Sequence, residues 1–134
     1  MKSKETKIGI LSEMIELAKA DQVVKESEYN FLFGLSVQFG IHKEEFDELF
    51  LQPTKRIVFD THKEQVEQFH RLIVLMNIDQ EKHRLEVELL RVMGLRLGLK
   101  PSLVLRMLDE MNNYPNGMVP LDSLLLISAQ NTPH

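Results

Sequence analysis

The sequence predicts an all-α fold built from two similar helical halves, and three observations carry that expectation. Apolar residues recur at helical spacing along most of the chain, turn-forming residues punctuate those stretches, and a block of residues returns at a constant displacement. The block is Ile15, Leu17, Asp21, Gln22, Glu28, Leu32 and Gly40, which reappear as Ile73, Leu75, Asp79, Gln80, Glu86, Leu90 and Gly98, each 58 positions later. The chain therefore reads as a single domain, 1–134, with repeat one at about 5–51, a connector at about 52–60, repeat two at about 61–111 and a C-terminal segment at 112–134.

Leu11, Met14, Ile15 and Ala18 share one helix face, which places a first helix near Lys4 to Ala20. Phe31, Leu32, Leu35 and Phe39 do the same for a second helix near Glu26 to Phe39, and Gly40 falls where a left-handed residue closes a helix. A short third helix is expected near Lys43 to Phe50. Gln52-Pro53-Thr54 then breaks the pattern, and Arg56 to Phe59 reads as an extended connection.

Thr61 followed three residues later by Glu64 forms a capping box, so a fourth helix starts there and runs to about Asn77, burying Phe69, Leu72, Ile73 and Met76. A fifth spans about Arg84 to Leu97 and stops at Gly98. Pro101 opens a sixth, which ends near Met111; proline is tolerated there because a first-turn N–H has no helical partner. Asn112 to Gly117 is a dense turn signal, Pro120 opens a last short helix through Ile127, and the tail from Gln130 to His134 is expected to fray.

Composition narrows the function. The chain has 134 residues, 43% of them hydrophobic, enough for one buried core. Twenty acidic against 16 basic residues give a net charge of −4, the wrong sign for a surface that binds phosphate backbones, so no nucleic-acid partner is expected. With no cysteine there is no disulfide, thiolate nucleophile or cysteine-ligated zinc. Glu5, Glu13 and Glu16 interrupt what a leader peptide would need to keep apolar. No window reaches the roughly 18 apolar residues of a membrane span, and a cytoplasmic location is expected. Phosphate-binding glycine loops and nucleophile-elbow patterns are absent from the sequence, so an enzyme is not expected.

The candidate site is the recurring acidic set Asp21, Glu28, Asp79 and Glu86. The aspartates fall in helix-to-helix turns and the glutamates in the following first helical turns. Carboxylate oxygens are the ligands that hard divalent cations such as Ca²⁺, Mg²⁺ or Mn²⁺ select. The same residues also suit a purely structural role. A glutamate at the third helical position reaches back to the N-cap amide, and aspartates close turns through their own side chains. The N-cap positions themselves hold Lys25 and His83, which cannot cap well. Glutamates that open helices are normally solvated, which leaves acid–base hydrolysis without a cleft.

Glu67 and His70 have the spacing of di-iron bundle ligands but lack a second such pair, and a solvated helix face accounts for them. His42 and His62 lie near linkers with no evident partner. Two apolar stretches, Phe46 with Leu49, Phe50 and Leu51, and Leu121 to Ile127, either cover the core or form an exposed docking patch.

The run Leu17-Ala18-Lys19-Ala20-Asp21-Gln22, with Glu28 after it and a helix ending Phe39-Gly40-Ile41, resembles the signature of TerB-like domains. These helical modules are named for bacterial tellurite resistance and are similar to the N-terminal region of the co-chaperone DjlA. Both Asp and both Glu positions match over about Leu11 to Met111. The glycine that follows Asp in that family is Gln22 and Gln80 here, and Ile78 replaces an alanine. The resemblance implies about seven helices, a cation role for the acidic clusters and an accessory place in stress responses. The reading is thus a non-enzymatic TerB-like domain that binds a divalent cation through Asp21, Glu28, Asp79 and Glu86; the alternative is a metal-free protein-interaction module, homodimeric in one version.

Overall fold

A computed structural model describes residues 2–20, 22–78 and 84–130. Among them are seven α-helices and no strand: α1 (Lys4–Ala18), α2 (Glu26–Gln38), α3 (Lys43–Leu49), α4 (His62–Asn77), α5 (Arg84–Arg96), α6 (Pro101–Glu110) and α7 (Leu121–Gln130). Two 3₁₀ turns, Met111–Asn113 and Pro115–Gly117, occupy the expected turn region. The last helix runs three residues beyond the expected end at Ile127, and Ser128 in that extension continues the buried face of Leu124 and Ile127. No described helix is long and apolar enough to cross a membrane.

Helix ends follow local chemistry. Ser3 caps α1 by accepting the Thr6 amide and Thr61 caps α4 by accepting the Glu64 amide, each at 3.1 Å. At the other end, Gly40 and Gly98 take φ of +73° and +97°. The amide after each glycine, Ile41 and Leu99, bonds back to Ser36 and Gly94. These are Schellman closures, and the buried Ile41 and Leu99 supply their apolar contact.

Helices α1 and α4 cross at the centre. Every residue of α1 from Gly9 to Ile15 is buried, as befits a helix enclosed on several sides by α2, α4 and α5. Helix α4 contributes Val66, Phe69, Leu72, Ile73 and Met76 to the same core, and α5 and α7 pack on it. Gly94 permits α5 to approach closely, since a Cβ there would lie 2.8 Å from the Phe69 ring.

Between α3 and α4 the chain runs without helix or strand. The Lys55 amide donates to the buried Ser12 hydroxyl at 2.8 Å, and Ile57 lies against Gly9 one turn earlier on α1. This connector thus travels antiparallel to α1.

Candidate functional site

The turn after α1 is tight. Lys19 closes the helix, the Gln22 amide donates to the Lys19 carbonyl at 2.9 Å, and Gln22 has a φ of +68°. The left-handed geometry that a glycine would supply is therefore adopted here by glutamine, at a cost of about 1–2 kcal/mol. The Lys19 ammonium bonds to the Phe50 carbonyl at 2.8 Å, meeting the negative end of α3.

Glu28 follows in the first turn of α2, and its Oε1 accepts the Lys25 amide at 3.0 Å. This is the glutamate half of a capping box; lysine has no acceptor to supply the other half. Glu28 is only 3% exposed and Glu86, at the matching position of α5, only 2%. Both glutamates are thus enclosed, contrary to the solvated positions expected of residues that open helices. The cause is packing: α2 lies on α1, and α5 lies against α1, α4 and α6. Asp21, Asp79, Gln80 and His83 lie outside the described residues, as do residues 131–134 of the tail. Among the described residues no group of three or more His, Asp or Glu gathers around one point.

Asn77 is a buried polar residue that sequence reasoning did not single out. It is fully buried at the end of α4, two positions before Asp79, and its amide nitrogen donates to the Ile73 and Gly117 carbonyls at 2.9 and 3.3 Å. Those bonds fix which atom is oxygen. That Oδ1 has no hydrogen-bond partner among the described residues. A buried orphan oxygen is a ligand of the hard type, so the donor chemistry at the end of α4 fits an oxygen-seeking cation. An Asn two residues before the repeated Asp is the only signal the sequence offered for it.

A second polar array lies where α1 meets α4. Gln68 is fully buried; its amide nitrogen donates to the Ile10 carbonyl at 3.3 Å and to the Glu13 carboxylate at 3.2 Å, and its oxygen accepts from Arg71 at 2.9 Å. Burial pushes the Glu13 carboxyl up to about 7, opposed by the Gln68 bond and reinforced by nearby Glu16. Glu16 itself pairs with Arg96 at 3.0 Å. Burial likewise pulls Arg71 below its ordinary value, although Glu67 counters it.

The histidines depart from expectation. His70 is half-buried rather than solvated: its ring meets the Val119 carbonyl at 2.9 Å, and burial lowers its pKa. His62 has a partner after all, the Ser128 hydroxyl of α7. His42 stands exposed at the start of α3. Both rings with partners help fasten the C-terminal segment to α4. The aromatic stretch on α3 mostly covers the core, since Phe46 and Leu49 are buried and Phe46 and Phe50 interleave with Tyr29. Leu51 is left outside. On α7, Leu124 and Ile127 are buried and Leu126 is exposed.

No family model, curated protein or solved structure matches the chain.

Proposed function

We propose that the chain is a non-enzymatic TerB-like accessory module of a stress response, in which Asp21, Glu28, Asp79 and Glu86 hold a divalent cation that locks the two repeats together. The observation that carries this reading is the deep burial of Glu28 and Glu86 at matched positions. A carboxylate taken out of water needs compensating partners, and a divalent cation is one that two buried glutamates can share. The orphan Asn77 oxygen at the end of α4 adds a neutral ligand of the same type. The ion would supply positive charge to fix the helix-to-helix turns, with no bond made or broken.

The duplication has independent support. Gln68 bonds to Ile10 across a separation of 58, equal to the repeat, so corresponding points of the two halves touch.

Calorimetric titration with Ca²⁺, Mg²⁺, Mn²⁺ and Zn²⁺ tests the reading. One of these ions is expected to give a saturable heat, and at a hundredfold excess over its dissociation constant to stabilise the fold by about 2.7 kcal/mol. Glu28→Gln and Glu86→Gln should each abolish the heat. Absence of heat and of any rise in melting temperature with all four ions would contradict it. The metal-free homodimer has less support, because exposed apolar side chains in the two candidate stretches reduce to Leu51 and Leu126; a concentration-dependent mass in sedimentation would favour it.

A further inference from the structure

The connector has the form of a strand that lacks a neighbour. From Arg56 to Asp60 exposure alternates: Arg56 out, Ile57 half-buried, Val58 89% exposed, Phe59 buried, Asp60 out. That period of two is the signature of extended backbone with one face on the protein. Of the amides at positions 54 to 60, only that of Lys55 has a hydrogen-bond partner among the described residues. A solvated row of main-chain donors and acceptors is the template on which another strand forms.

Beside this edge lies an open groove of about 580 Å³, walled by the N-terminal half of α1 and the connector. Ile8 and Ile57 give it an apolar floor. Lys4, Lys55 and Arg56 border it against a single acid, Glu5. Lys4 also reaches Glu45 at 3.2 Å, whereas Lys55 and Arg56 take part in no ion pair among the described residues. In a chain of net charge −4 this is a local reversal of sign.

The geometry points to the connector as a docking edge for an extended acidic peptide segment of a partner protein. The segment pairs main chain to main chain along residues 54–60, seats alternate apolar side chains over Ile8 and Ile57, and sets its carboxylates against Lys55, Arg56 and Lys4. Strand addition of this kind takes its affinity from backbone bonds and its selectivity from alternate side chains. A second copy of this chain suits the edge poorly in two registers, since in-register parallel pairing would oppose Lys55 and Arg56 each with itself, and antiparallel pairing centred on them would oppose one with the other. The inference shares no residue with the proposed cation set and stands or falls apart from it.

The test titrates the ¹⁵N-labelled full chain with a soluble octapeptide of alternating Glu and Val. Amide shifts concentrated at 54–60 and at 4–9 are expected. The double variant Lys55→Glu/Arg56→Glu, altered only at exposed side chains, should weaken binding by about tenfold or more. Val58→Pro removes an unpaired amide at an extended position, so it should fold normally yet lose binding. Shifts elsewhere or none, equal binding of a Lys–Val octapeptide, or unchanged affinity in the charge-reversed variant would overturn the proposal. So would equal competition by a single-stranded oligonucleotide, or concentration-dependent shifts at 54–60 without peptide, which would assign the edge to nucleic acid or to a second copy.

Discussion

The two halves of the chain agree at their helix ends and disagree where they meet. Ser3 and Thr61 cap α1 and α4 in the same way, and Gly40 and Gly98 close α2 and α5 with the same Schellman bonds. At the crossing of α1 and α4, however, Ile10 corresponds to Gln68 and Glu13 to Arg71. An isolated helix end makes the same demand on backbone geometry in each half, so the same residue types serve twice. A contact between the halves makes the opposite demand: identical charges would face each other, and complementary residues are needed instead.

The largest expected effect comes from breaking the crossing. Gln68→Leu removes the donor to the buried Glu13 and the acceptor for the half-buried Arg71, leaving both without their shared partner. Urea unfolding should report a loss of about 3 kcal/mol.

Proton linkage at the same place sharpens the contrast. Native Glu13 keeps its proton up to about pH 7, whereas an unfolded chain releases it near the ordinary value of 4.5. Between those values the unfolded state binds fewer protons than the native one, so this contribution is complete below pH 4.5 and fades as pH rises to 7. It amounts to no more than about 3 kcal/mol. His70 acts with the opposite sign: its pKa is lowered by burial, so its contribution is lost as pH falls below 6.5. Comparison of Glu13→Gln with the parent chain from pH 5 to 8 isolates the carboxyl, and the variant's relative stability should rise across that range. A flat difference would show that Glu13 titrates normally.

The helix ends give smaller effects. Gly98→Ala and Gly40→Ala should each cost about 1 kcal/mol for the left-handed backbone. Gly98 should be the worse of the two, because its new Cβ would meet Gln65 at 3.0 Å whereas Gly40 opens onto free space. Gln22→Gly, at a φ of +68°, should instead stabilise by up to about 1 kcal/mol. Thermal melts resolve all three.

What was legible in the sequence follows the same division. Caps, glycine closures and apolar spacing are local signals, and α1 to α6 appear within about two residues of their expected limits. The burial of Glu28 and Glu86 was not legible, because it depends on which side of α2 and α5 faces the bundle. Neither was the Gln68 bridge, since a glutamine inside an apolar stretch declares its partner only once α1 lies across α4. The orphan oxygen of Asn77 arises from a third element, the 3₁₀ turn that brings the Gly117 carbonyl to its nitrogen.

Paramagnetic broadening by Mn²⁺ tests the central claim most directly. If the acidic turns of both halves share one ion, a single equivalent of Mn²⁺ should broaden the amide signals of Glu28 and Glu86 together, and Glu28→Gln should release both. Broadening at one turn only, or at neither under saturating Mn²⁺, would contradict the account.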